Sequence, residues 1–186
     1  ACTGCGRVEC CCVPQSAAPA RVLHADPPWL FGDKLPGEGR GAVKHYDCMT
    51  VKDICGFQLP RLAADCLLLM WRVAAMQREA LDVMDAWGFT LKSEIVWEKL
   101  TRTGKPWFGM GRYVRAAHET CLIGVRGRIQ VADRSIRSRF AAPVQEHSRK
   151  PDEIYSIAER LVPGGPYVEI FGRRKRAVGV MTRSDL

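Results

Sequence analysis

The chain has 186 residues and a mass of 20.8 kDa, with 47% apolar and 26% charged side chains. That is enough for one domain burying roughly 70% of its unfolded surface, with no need of disulfides or a metal to fold. Its 28 basic and 20 acidic residues leave a net charge of +8, which excludes an acidic scaffold and points to an anionic partner. The longest apolar stretch, Cys66–Trp71, is broken by Arg72 and falls far short of the ~20 residues of a membrane span. No basic-then-apolar leader is visible, so neither a secretory signal nor a membrane partner is expected.

Five of the nine cysteines (Cys2, Cys5, Cys10, Cys11 and Cys12) lie in the first twelve residues. The other four, Cys48, Cys55, Cys66 and Cys121, stand singly in apolar surroundings, as small hydrophobes do. This odd, uneven set fits a reducing, cytoplasmic compartment. The first cluster has no nearby histidine and no second Cys-x2-Cys, so a flexible leader over residues 1–20 is favoured over zinc, and no metal is expected. Because the chain does not start with methionine, residues 1–20 are expected to be a trimmed or foreign extension. Residues 21–186 are expected to form a single domain.

Arg21–Ala25 is a short apolar run and reads as a buried strand, ended abruptly by Asp26, Pro27, Pro28 and Trp29. From Leu30 to Thr50, glycines alternate with Lys34, Arg40 and Lys44, the pattern of a mobile basic loop. A short helix follows Thr50, with Asp53 in its first turn. Cys66–Trp71 is too short and too apolar for a surface helix and reads as a central strand. Met76, Ala80, Val83, Met84 and Trp87 recur on one helical face, stopped by Gly88. Thr90–Lys99 reads as a strand, 101–115 as a glycine-rich basic loop, and Thr120–Val125 as another buried strand. An arginine-studded connection is expected over 131–145. Asp152–Leu161 is the clearest helix, with Pro151 at its first position, Asp152 and Glu153 complementing its dipole, and Ile154, Ile157, Ala158 and Leu161 as its buried face. Pro163, Gly164 and Gly165 end it, and Tyr167–Phe171 is the final strand. Strands separated by helices imply an α/β fold with a mainly parallel sheet covered on both faces.

In such a sheet, chemistry sits at the carboxyl ends of strands where the strand order reverses. Two positions qualify: Asp26–Trp29 and Gly172–Arg173. Pro27 holds Asp26 extended and the proline pair stiffens the turn, so a carboxylate and backbone carbonyls are presented beside an indole. Acceptors next to an aromatic face suit a planar ligand bearing an amino group. A proline pair alone would more simply be a strand-ending turn over a buried tryptophan. The flanking Asp26 and Trp29, directly after a buried strand, favour the ligand site.

Five stretches carry a resemblance to one family: His24–Trp29, Glu94–Trp97, Glu119–Gly127, Glu146–Tyr155 and Glu169–Arg173, in that order. The chain resembles the MT-A type N6-adenine methyltransferases, the family of the seventy-kilodalton mRNA-adenosine methyltransferase subunit, over roughly residues 22–176. In its small form it is similar to phage and bacterial DNA adenine methyltransferases. The resemblance implies a Rossmann-like fold using S-adenosylmethionine, with the catalytic motif ahead of the cofactor motif. It makes Asp26, Pro27, Pro28 and Trp29 catalytic, with Asp26 and the Pro27 carbonyl holding the adenine N6 and Trp29 stacking on or packing beside the base. Cofactor contacts are expected from Asp26, Lys150, Ser148, Phe171, Gly172, Arg173 and Arg176, Lys150 meeting the cofactor's carboxylate. Substrate contacts are expected from Trp29, Lys44, Tyr46, Arg112, Glu119 and His147, with a structural salt bridge as the other role open to Glu119. The family's closing tryptophan and polar pair are replaced here by Ala177–Arg183.

Between Lys99 and Lys150 there are twelve basic and three acidic residues, a surface suited to a phosphate backbone. Trp107 and Phe108 within it are placed to stack on bases or wedge a duplex. With room for a catalytic core and none for a separate reader, sequence specificity is expected to be short. The compact form favours DNA over RNA, single-stranded or base-flipped, in a prokaryotic or phage-infected cell, acted on by a monomer or homodimer. An RNA adenosine methyltransferase would share every motif. A non-catalytic nucleic-acid-binding partner subunit would be expected to have lost Asp26–Trp29.

Overall fold

A computed structural model describes residues 18–31, 48–111, 113–145, 149–172 and, in backbone only, 180–182. Seven strands, β1 (Ala20–Ala25), β2 (Leu62–Arg72), β3 (Thr90–Leu100), β4 (His118–Arg126), β5 (Arg139–Pro143), β6 (Tyr167–Gly172) and β7 (Val180–Thr182), form one sheet in the order β5-β3-β4-β2-β1-β6-β7. β4 is antiparallel to both β2 and β3, and the other pairings are parallel, so six of the seven strands run the same way. This is the expected mainly parallel, Rossmann-like α/β sheet, with one reversed strand in its middle.

Three helices cover it: α1 (Val51–Cys55), α2 (Gln77–Ala86, entered through a 3-10 turn at Ala74–Met76) and α3 (Glu153–Leu161). The central strand shows why both faces are dry. Cys66, Leu68 and Met70 of β2 pack with Ile54, Ala80, Val83 and Met84 of α1 and α2, whereas Leu67, Leu69 and Trp71 pack with Ile154, Ile157 and Leu161 of α3. Successive strand side chains point to opposite faces, so a strand with helices on both sides must be apolar throughout. All five residues of the predicted α2 face are buried, and Gly88 stops the helix at φ +76°. Thr50 caps α1 in a reciprocal capping box with Asp53. Pro151 stands ahead of the α3 N-cap, Asp152, rather than at the first helical position.

Two edge strands depart from expectation. β5 lies inside the stretch read as a connection, and β7 inside the C-terminal departure from the family pattern. β5 has five residues, buries only Ala142, begins with an arginine and ends in a proline. Short, charged, proline-ended segments are how sheet edges are blunted, and they erase the alternation that marks a strand.

Gly124 sits mid-β4, where a Cβ would lie 2.6 Å from Met84 Cε, 3.1 Å from Phe89 Cβ and 3.4 Å from Leu68 Cβ. Gly124→Val is therefore expected to destabilise the fold by about 1–3 kcal/mol through overpacking, read as a lowered urea midpoint at unchanged slope.

Candidate functional site

The strand order reverses at β1, which has β2 on one side and β6 on the other. Asp26 leaves β1, and its N–H donates to Ile170 of β6 at 3.5 Å. The ends of β1 and β6 thus lie side by side at the carboxyl edge, where ligands of open α/β sheets bind.

The turn after β1 is clamped by its own backbone. The Pro27 carbonyl accepts the Trp29 N–H at 2.9 Å, the Pro28 carbonyl accepts the Met49 N–H at 2.8 Å, and Leu30 donates to the Met49 carbonyl at 3.0 Å. The Pro28 oxygen is committed to the fold, while Pro27 keeps a second lone pair for a ligand. Trp29 departs from expectation. It is 4% exposed, packs among the core residues beneath α1 and α2, and donates its indole N–H to the Trp71 carbonyl at 3.1 Å. A ring so enclosed has no face for a base, so its part is to pin the turn to β2.

The Asp26 carboxylate, 22% exposed, is held by Lys150: Nζ to Oδ2 is 2.7 Å. Lys150 comes from the loop before α3, and its side chain is 11% exposed. Its ammonium also lies 3.5 Å from Glu119 Oε2 and 5.4 Å from the centre of the Trp71 ring. Glu119, second residue of β4, is bonded in turn by Lys99 Nζ at 2.6 Å. Asp26, Lys150, Glu119 and Lys99 form a row of alternating charges from four parts of the chain, in which Glu119 makes the salt bridge that was one of its two expected roles.

Burial acts against both inner charges but loses to their partners. It would lower the pKa of Lys150, yet Asp26 and Glu119 hold the ammonium above its ordinary 10.5. It would raise that of Glu119, yet Lys150 and Lys99 hold the carboxyl below its ordinary 4.5. The stabilisation from Glu119 is present above about pH 4.5 and is lost as pH falls through the depressed folded value. Compared with Glu119→Gln by urea unfolding, the wild type should therefore hold its largest advantage above that pH, with the gap closing on further acidification.

Behind this row runs a second network that the residue-by-residue reading missed. Trp71 donates its indole N–H to His24 Nε2 at 2.8 Å, which places the ring proton of His24 on Nδ1. That nitrogen lies 3.2 Å from Glu169 Oε1, a close contact bent too far for a hydrogen bond. The Tyr155 hydroxyl spans both Glu169 oxygens at 3.0 Å, and its ring meets His24 edge-on at 5.2 Å. His24, Tyr155 and Glu169 come from three of the quoted motifs, which was the signal for their convergence. Trp71 has none, being the last residue of an apolar strand run.

At the end of β6, Phe171 is buried, takes φ +62° and packs on Phe57 with ring centres 4.6 Å apart. A Cβ on Gly172 would lie 2.7 Å from Glu169 Cδ. This glycine therefore makes room for the Glu169 side chain, a structural need beside its expected cofactor contact. Lys44, Tyr46, Arg112, His147, Ser148, Arg173 and Arg176 lie outside the described residues, as do the first five cysteines. Among the described cysteines, burial pushes the Cys66 thiol up to about 11 and raises that of Cys121, so both are inert apolar fillers.

The basic stretch is less free than its count implies. Arg126 donates to the Trp87 carbonyl and stacks on Phe89, Arg139 pairs with Glu98 at 2.9 Å, and Arg149 with Asp152 at 3.3 Å. With Lys99 and Lys150, and with Arg115 over the Phe108 ring, six of these cations among the described residues are engaged within the protein.

A carboxylate beside an ammonium complements an α-amino acid, whose own ammonium and carboxylate can pair with Asp26 and Lys150. The described residues thus fit the methionine end of S-adenosylmethionine. Among them there is no grouping of metal-ligating side chains and no helix long and apolar enough to cross a membrane.

A protein-family model described as MT-A70 matches residues 21–182. The chain is 31% identical over 159 residues to the N(6)-adenosine-methyltransferase subunit METTL3 of Danio rerio, covering 82% of this chain and 25% of that protein. It is 29% identical over 162 residues to the N(6)-adenosine-methyltransferase MT-A70-like of Arabidopsis thaliana, covering 84% and 22%. It is 25% identical over 170 residues to the N(6)-adenine-specific methyltransferase METTL4 of Mus musculus, covering 82% and 34%. The chain therefore spans about a quarter to a third of the length of these relatives.

Proposed function

The chain belongs to the MT-A70 family of methyltransferases, and from that premise we propose that it transfers a methyl group from S-adenosylmethionine to the N6 amine of adenine in RNA. The observation that carries this reading is the Asp26 carboxylate, fixed on a proline-stiffened turn at the switch point and gripped by Lys150. Lys150 takes Oδ2, which leaves Oδ1 of Asp26 and the second lone pair of the Pro27 carbonyl to accept the two amine protons. Adenine N6 is poorly nucleophilic because its lone pair is delocalised into the ring. Two acceptors that draw the amine out of plane restore that lone pair and aim it. Lys150 has three protons, two spent on Asp26 and Glu119, and the third is suited to the carboxylate of the cofactor's amino-acid end. The bound cofactor supplies an electrophilic methyl group on a sulfonium. What the protein adds is position and a fixed field, with no covalent attachment to the chain.

RNA is preferred to the DNA expected from the compact architecture, because two of the three similar proteins above are named for adenosine, the ribonucleoside. The test is transfer of tritium from labelled cofactor to RNA and DNA oligonucleotides of one sequence, followed by nucleoside analysis. Label in N6-methyladenosine is expected. Label confined to DNA would overturn the choice of substrate. Cofactor binding with transfer to neither would point to a non-catalytic partner subunit.

A further inference from the structure

The loop joining β3 to β4 carries the most exposed large apolar side chains of the described residues: Phe108 is 76% and Tyr113 90% exposed, with Met110 and Val114 close to the Phe108 figure. Trp107, expected to stack, is the least exposed of this group and is held by a backbone bond from its N–H to the Lys99 carbonyl at 3.0 Å. Such residues normally turn inward, and here the backbone prevents it. A Cβ on Gly109 would lie 2.1 Å from the Ala116 carbonyl oxygen, and one on Gly111 would lie 1.9 Å from that of Val114. The two limbs of the loop therefore lie back to back, in contact that only glycine permits, and the large side chains are left outside.

From Lys99 to His118 the sequence holds five lysines and arginines and no carboxylate. The Arg115 guanidinium lies over the Phe108 ring at 5.0 Å from its centre, and most of the ring remains exposed. The loop also springs from the site itself, since Lys99 near its start and Glu119 just past its end both belong to the charge row that holds Asp26.

We propose that residues 101–111 and 113–117 are a stacking platform for the single RNA strand that carries the target adenine, with bases on Phe108 and Tyr113 and phosphates near Arg115 and Lys105. This rests on the reading of the protein as an RNA methyltransferase. Aromatic faces among cations with no carboxylate suit a strand with free bases and a charged backbone. The core of a protein interface, by contrast, is depleted of charge.

The test is fluorescence anisotropy with a labelled twelve-nucleotide RNA, the DNA of the same sequence and the RNA duplex. Each is titrated with wild type, Phe108→Ala/Tyr113→Ala and Phe108→Trp/Tyr113→Phe, alongside cofactor calorimetry and light scattering. The alanine pair is expected to raise the Kd for single-stranded RNA roughly 10- to 100-fold, leave its salt dependence and the cofactor Kd unchanged, and barely affect the duplex. The aromatic pair should bind like wild type. An unchanged Kd in the alanine pair, with wild type still methylating RNA, overturns the platform and spares the function. The same holds if the alanine pair turns a dimer into a monomer at unaltered RNA affinity, which would make the loop a protein interface. Tighter binding of the DNA strand than the RNA strand overturns RNA as the occupant. Wild type that binds and methylates no nucleic acid overturns both readings.

Discussion

Asp26→Ala is expected to lower single-turnover methyl transfer by about a thousandfold while cofactor affinity stays within a few fold. The two quantities should separate because the proposed function gives Asp26 two jobs of unequal weight. Toward the cofactor it is one of two charges, and Lys150 persists in the variant, still paired with Glu119 at 3.5 Å. Toward the adenine amine it is the ionised acceptor of the proposed pair, and the Pro27 carbonyl alone cannot draw the amine out of plane. Asp26→Asn sharpens the test: the amide keeps an acceptor oxygen but not the charge, so its rate should fall between wild type and alanine. Transfer at wild-type rate in the alanine variant, measured at saturating cofactor and RNA, would falsify the assignment of Asp26 as the amine acceptor.

The elements around this site were legible where local rules agree with the tertiary outcome. β1, β2, β4 and β6 read as apolar runs because both faces of the sheet are covered, and α2 and α3 read from one-sided periodicity. β5 and β7 were not legible, since edge strands are defined by a neighbour rather than by their own pattern. In the site, the positions of Asp26 and Lys150 were read, but each was assigned to a ligand. That they bind each other across 124 residues of sequence has no local signature. Trp29 shows the opposite limit. The same Asp-Pro-Pro-Trp string fits an indole offered to a base and an indole locking the turn, and only the hydrogen bond to the Trp71 carbonyl separates the two. Lys99, Trp71 and Glu169 have no individual signature in the sequence, because each acts by contact with another side chain, Glu119, His24 or Tyr155.

Lys150→Met should produce the other large effect, lowering stability by about 3 kcal/mol and cofactor affinity by roughly 10- to 100-fold. Methionine keeps most of the volume against Trp71 but removes the ammonium between two carboxylates. Glu119 retains Lys99 at 2.6 Å, so Asp26 is the group left bare, and its partial exposure lets water relieve some of the loss. The pH dependence identifies the cause. Because Lys150 titrates above 10.5 in the folded protein, its contribution is present below that pH and lost as pH rises through the folded value. The stability gap between wild type and variant should be widest at neutral pH. It should close on the alkaline side as Lys150 deprotonates, and narrow on the acid side as Glu119 takes up its proton. Adding Asp26→Asn to Lys150→Met should then restore stability, since the uncompensated carboxylate is gone. A double variant no more stable than Lys150→Met would show that lost packing, not lost charge, explains the effect.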